Sequence, residues 1–311
     1  MRSAINLLLA NMAASDILLS VLCMPFSLVT LLRGEWLMSE TLCKIVAFLH
    51  VYLVCTGMCI LLAISLDRYF IIVRRRDKLN PTRAKVLIVF SWVCSLTFAL
   101  PPAVGWGNYH YYPAHPQCII QVHRNIADKA YVACAMTVIF FLPIFTMAYS
   151  YLCILKTVRK NQTRIRNHPN RISVTQASKL GLPGVSLPGK PNVDMSFKTR
   201  TFKTILILYI VFLCCWTPYS IATLALNFSL RINPYTTSIV LWLGYLNSAL
   251  NPLIYAWRIK KFREACISIL PKSSKLFPRG CGFCINRRVN PSTMYEYSTH
   301  SQGINVEQSA V

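Results

Sequence analysis

Six long apolar stretches divide this chain, at residues 4–32, 42–72, 84–104, 130–157, 202–228 and 235–257. Each reaches the roughly 20 residues that a helix needs to cross a bilayer. Inside hydrocarbon every backbone N–H and C=O must be satisfied within the element, so apolar runs of this length are read as helices. Composition agrees: 14% of residues are charged and mean hydropathy is +0.44, whereas a soluble domain carries about a quarter charged residues. The first stretch contains Asn6, Asn11 and Asp16, unlike the short uncharged core of a cleavable signal peptide.

Lys and Arg give the orientation. Seven lie between Arg68 and Lys85, eleven between Lys156 and Lys203, nine from Arg258 onward, and one at Arg2. The other side holds Arg33, Lys44, Arg124, Lys129 and Arg231. Basic residues accumulate on the cytoplasmic side of a membrane protein, which puts both termini in the cytoplasm, as six spans require. The net charge of +23 is thus either a topogenic signal or, in the long basic loop, an attraction to the anionic inner leaflet or an acidic partner, and no nucleic-acid-binding fold accompanies it. The loop at about 159–196 is rich in Pro, Gly and polar residues and reads as flexible. Residues 271–311 read as a disordered cytoplasmic tail, leaving 1–270 as the helical bundle.

Polar residues within the spans need a reason, because a charge in hydrocarbon costs about 2.5–3.5 kcal/mol even on lenient scales. Asp16 is the one acid well inside a span. It is either a carboxylate satisfied by neighbours or an ion or water site tied to a conformational switch. Asn247 and Asn251 are four apart and share a helix face, followed by Pro252, which frees a carbonyl and bends the helix. Pro218 after Trp216, and Pro143, repeat the device in two other spans. Three kinked helices around a buried carboxylate suggest a bundle that moves.

The ordered set resembles a known family. Asn11 and Asp16 in the first stretch, Asp67-Arg68-Tyr69 ending the second and Trp92 in the third come in order. Pro143 and Tyr151 in the fourth, Cys215-Trp216-Thr217-Pro218 in the fifth, and Asn251-Pro252-Leu-Ile-Tyr255 in the last follow. Together they are similar to the signature residues of rhodopsin-like G-protein-coupled receptors. The resemblance implies an all-α integral membrane bundle, with six spans here of a seven-helix receptor. The N-terminal tail and first helix of the family have no counterpart in this sequence. The runs near 1–26, 77–81, 197–208 and 258–266 resemble a small group of orphan receptors placed near the lysophospholipid receptors.

That resemblance assigns roles. Cys43 and Cys118 would form the extracellular disulfide. Asp67, Arg68, Tyr69, Tyr151, Trp216, Pro218, Asn251, Pro252 and Tyr255 would make the switch that engages a heterotrimeric G protein. Asp16, Asn247, Ser248 and Asn251 would form the polar network, where a sodium ion could sit, weakened because Gly57 replaces a hydroxyl residue. The ligand pocket would include His50, Val51, Val54, Tyr219, Ser220, Thr223, Leu241 and Tyr245. His50 stands where amine receptors carry an aspartate, so a biogenic amine is not expected. A lipid-like ligand is the favoured reading, a peptide the alternative, and a non-signalling or dominant-negative fragment a third.

The run from Arg258 to Leu270 is amphipathic and resembles the family's short helix on the inner leaflet. Cys281 and Cys284 beyond it are palmitoylation candidates or plain thiols; Cys-Gly-Phe-Cys has no second ligand pair for zinc. Tail hydroxyls at Ser292, Thr293, Ser298, Thr299 and Ser301 could serve arrestin. Ser309, Ala310 and Val311 match a PDZ ligand, which adds as a strand and presents its terminal carboxylate. Asn227-Phe228-Ser229 is a sequon beside a span. The inverted repeats of a transporter, the filter of a channel and the clustered acid–base residues of an enzyme are not visible. A plasma-membrane, multi-pass receptor is the expectation.

Overall fold

The structure is a computed structural model. It describes residues 4–263 apart from 77–78, 106–107, 114, 121–125, 168–192, 229, 231 and 259–261. The candidate sites at Cys281, Cys284 and residues 309–311, the tail hydroxyls, most of the amphipathic run and Arg124 lie outside the described residues.

The described elements are α1 (Ala4–Leu22), α2 (Met24–Arg33), α3 (Glu40–Ile72), α4 (Pro81–Ala103), β1 (Tyr109–His110), β2 (Ile119–Ile120), α5 (Ile126–Met136), a π-helical segment (Thr137–Phe141), α6 (Leu142–Asn167), α7 (Val193–Asn227) and α8 (Pro234–Arg258). Among the described residues, six helical spans are long and apolar enough to cross a membrane. Local chemistry sets their ends. Ser39 accepts a hydrogen bond from the Leu42 amide at 3.3 Å and caps α3. Asn80 does the same for Arg83 at 2.7 Å, with Pro81 in the first turn of α4. Gly34, at φ 78°, takes the left-handed conformation that closes α2.

Three details depart from the sequence reading. The first span is broken at Cys23, because Pro25 cannot donate to the preceding turn, so α1 and α2 meet at a kink. The fourth span carries the π segment just ahead of Pro143. There the missing proline N–H is absorbed by a wider turn, with the Leu142 amide reaching back to the Thr137 carbonyl. The loop expected from about 159 to 196 is shorter at both ends, since α6 continues to Asn167 and α7 begins at Val193.

Helix α3 runs through the middle and packs against α1, α4, α6 and α7, while α7 packs along α8. Its buried side chains, among them Leu53, Met58, Ile60, Leu61 and Ile64, form the core with Leu8 and Met12 of α1, Met147 and Ile154 of α6, and Ile205 and Leu208 of α7. Outward faces remain apolar. On α4, Val86, Val89, Phe90, Val93, Leu96 and Leu100 are exposed along one stripe. In water such a stripe would be a liability; against acyl chains it is the expected surface. Hydroxyls inside the spans are quieted locally: Thr56, Ser91 and Ser150 each bond the carbonyl four residues back at 2.8 Å.

Candidate ligand-binding site and switch

Cys43, near the start of α3, is joined to Cys118, with the two Cα atoms 5.6 Å apart. The bond holds the segment around β2 against α3. Antiparallel pairing of Tyr109 with Ile120 and His110 with Ile119 closes the loop into a short hairpin. Tyr109 anchors it to α4 by donating to the Ala99 carbonyl at 2.9 Å, and Tyr131 of α5 donates to the Phe98 carbonyl at 2.8 Å.

Beneath this lid lies a cavity of about 150 Å³. His50, Val51, Val54, Tyr219, Ser220, Thr223 and Leu241, all expected in the pocket, line it. Tyr245 is absent from the wall itself but controls it from behind: its hydroxyl donates to Gln117 Oε1 at 2.5 Å and lies 3.3 Å from His50 Nδ1. His50 is enclosed by the rings of Trp216, Tyr219 and Tyr245, at centroid distances of 5.8, 5.7 and 5.5 Å. Its imidazole is therefore a buried part of an aromatic box. No Lys, Arg, Asp or Glu lines the cavity among the described residues.

Trp216 forms the floor. It is buried, and it also lines a second, small chamber of about 10 Å³ with Ser15, Asp16, Gly57, Asn247 and Ser248. That is close to the space of one water or small ion. Asp16 accepts hydrogen bonds from Ser248 Oγ and Asn251 Nδ2, each at 2.8 Å, one on each carboxylate oxygen. These bonds tie α1 to α8 across the bundle. The amide oxygens of Asn247 and Asn251 are buried and without a hydrogen-bond partner in the structure. Of the oxygens bordering this chamber, the Asp16 carboxylate and the unengaged Asn247 Oδ1 are of the type that a hard cation would take.

At the other end of α3, Asp67 and Arg68 are buried and form an ion pair, with Arg68 Nε donating to Asp67 Oδ2 at 3.0 Å. Tyr69 packs beside Tyr149 at 6.5 Å. Tyr151 lies with its hydroxyl 2.7 Å from Ser65 Oγ and 3.4 Å from the Ile205 carbonyl, bridging α6 to α3 and α7. Tyr255 stacks edge-on with Phe262 at 5.6 Å, and its hydroxyl has no hydrogen-bond partner in the structure. Pro218 and Pro252 sit inside α7 and α8. The sequon residue Asn227 is buried and its amide donates to the Lys129 carbonyl at 3.0 Å, so its nitrogen is engaged within the fold.

Sequence reasoning missed Gln117, His115, Ser65 and Gly244. For Gln117 a signal existed: it directly precedes Cys118, and a disulfide to α3 leaves the neighbouring residue over the bundle mouth.

Membrane-crossing helices around a lidded, mostly apolar chamber, with a polar centre below it and a buried arginine at the far end, define a membrane receptor bundle. The chain belongs to the 7 transmembrane receptor (rhodopsin family), whose family model matches residues 1–255. It is 49% identical over 310 residues to the "High-affinity lysophosphatidic acid receptor" of Xenopus laevis, covering 98% of this chain and 83% of that protein. It is 46% identical over 300 residues to human "Probable G-protein coupled receptor 45", covering 95% of this chain and 80% of that protein. Human "Probable G-protein coupled receptor 63" is also 46% identical, over 96% of this chain and 73% of that protein. The crystal structure of squid rhodopsin matches the fold with a TM-score of 0.71 at 23% identity, over 86% of this chain and 75% of that one. The chain thus stands among signalling receptors, not enzymes.

Proposed function

We propose that this chain is a plasma-membrane receptor that takes a lipid-like ligand beneath the Cys43–Cys118 lid and passes the signal to a heterotrimeric G protein at the Arg68 end. The observation that carries the reading is the position of Trp216. It is floor to the ligand cavity and wall to the Asp16 chamber, and so touches both the incoming ligand and the bonds that tie α1 to α8. A ligand that displaces this indole would act directly on the Asp16, Ser248 and Asn251 contacts. Motion of α7 about Pro218 would then uncover Arg68. The apolar walls, and the ligand named for the Xenopus relative, support a lipid over an amine.

The basic loops and both termini face the cytoplasm in this reading. Arrestin would meet the tail hydroxyls, a PDZ domain would take Ser309 to Val311, and Cys281 and Cys284 would carry palmitate. A sodium ion, when bound, would supply a positive charge beside Asp16, held by that carboxylate with the free oxygen of Asn247.

The test is nucleotide exchange on purified G proteins by the full chain in nanodiscs, with oleoyl lysophosphatidic acid as the first agonist. Exchange above the ligand-free rate, lost in Arg68→Ala, is expected. Exchange that Arg68→Ala leaves intact would overturn the assignment of Arg68.

A further inference from the structure

The lipid reading leaves the head group open, and the cavity speaks to it. Most polar side chains in the lining are already engaged. Tyr109 and Tyr131 donate to carbonyls of α4, Thr223 and Thr237 to carbonyls of their own helices, and Asn227 to Lys129. Two nitrogens are different. Gln117 is 1% exposed, its Oε1 is taken by Tyr245, and its buried Nε2 faces the Tyr219 hydroxyl without closing a hydrogen bond of ordinary geometry. His115, two residues earlier on the same disulfide-held segment, has a buried Nε2 without a partner. Both residues line the cavity, with Pro116 between them.

Their chemistry is complementary. The amide Nε2 of Gln117 is a donor. His115 Nδ1 faces the Pro113 carbonyl at 3.5 Å, a contact that places the proton on Nδ1 and leaves Nε2 as an acceptor. One donor and one acceptor suit a group that both accepts and donates, such as a hydroxyl or an amide. A phosphate monoester meets them poorly. It would enter a lining whose described residues include no Lys or Arg, and a buried anion without a cation is strongly disfavoured.

Resting on the lipid reading, we propose that Gln117 and His115 form a head-group site for a neutral single-chain lipid, a monoacylglycerol or fatty-acid amide. The acyl chain enters between Val54, Ile139 and Phe212 toward Trp216 and, being larger than the about 150 Å³ present, parts these side chains as it binds. The buried N–H of Gln117 and the free lone pair of His115 gain the partners that they lack in the ligand-free chain.

The experiment compares monooleoylglycerol with oleoyl lysophosphatidic acid, which share acyl chain and glycerol and differ in the phosphate. Equilibrium binding to the purified full chain in nanodiscs is measured for wild type, Gln117→Met and His115→Phe. The neutral lipid is expected to bind wild type more tightly. Gln117→Met should weaken it about tenfold, the scale of one lost hydrogen bond, and His115→Phe should weaken it by a similar factor without touching the Tyr245 contact. Ligand-free melting temperatures separate lost binding from lost folding, and the wild-type comparison stands without either variant. If the phosphate lipid binds wild type more tightly, the head-group assignment is overturned while the lipid reading survives; Arg124, outside the described residues, would then be the first cation to test. If neither lipid binds, both readings fall.

Discussion

Gly244 of α8 lies against the six-membered ring of Trp216. A β-carbon added there would fall 2.8 Å from Cζ3, 2.9 Å from Cε3 and 3.2 Å from Cη2. No real side chain tolerates such a contact, so the ring must move if the glycine is replaced. Gly244→Ala should therefore tilt the indole off the cavity floor, destabilise the fold by about 1–3 kcal/mol and change ligand-free signalling. Melting temperature and nucleotide exchange check it. Wild-type values for both would mean that Trp216 is not confined by α8.

Asp16 receives its two hydrogen bonds from α8 alone among the side-chain partners in the structure. Asp16→Asn keeps the size, removes the charge and leaves one acceptor oxygen for two donors. Loss of a hydrogen bond to a charged group costs roughly 1.5–3 kcal/mol. Exchange should then become insensitive to replacing choline chloride by sodium chloride, whereas sodium should slow wild-type exchange. Equal sodium dependence in both proteins would remove the ion from the reading.

Cys43 and Cys118 are 75 residues apart in sequence, and closing a loop of that size stabilises a fold by about 4 kcal/mol in the chain-entropy model. Cys118→Ser should lower the melting temperature and abolish lipid binding, because Gln117 and His115 are no longer held over the cavity. Retained binding in the variant would show that the hairpin and its Tyr109 anchor suffice.

His115 makes the lid sensitive to acid. Burial holds its imidazole below the ordinary value of 6.5, although the nearby carbonyls of Pro113 and Tyr112 pull the other way. The Tyr112 ring packs on it at 5.9 Å, with His110 beyond at 5.5 Å from that ring. A group whose folded value is depressed contributes fully above its unfolded value, about 6.5 here, and loses that contribution as pH falls through the lower folded value. Melting temperature should therefore fall as pH is lowered below about 6.5 by more in wild type than in His115→Phe. Parallel curves would mean that the imidazole stays solvated.

Much of this architecture was legible because length and apolarity leave a spanning segment few choices. The six spans and the central Asp16 were readable from single runs of residues, and the motif order carried the family. What escaped was decided by geometry between distant segments. The kink at Cys23 arises from Pro25 in a run that otherwise reads as continuous helix. The π turn before Pro143 answers a missing N–H in a way that periodicity does not encode. Gln117 and His115 sit in a polar loop with no pattern of their own, and gain meaning only because the disulfide brings them over α3.

Val54, Phe212 and Trp216 belong to both chambers, so the two spaces share a partition. A shared partition imposes a symmetry on any occupants. If filling the lower space weakens association in the upper one by some factor, filling the upper space must weaken the lower by the same factor. A titration of sodium against bound lipid and one of lipid against bound sodium should thus return one number. Its size would give the stiffness of a wall made of three side chains, each facing both spaces.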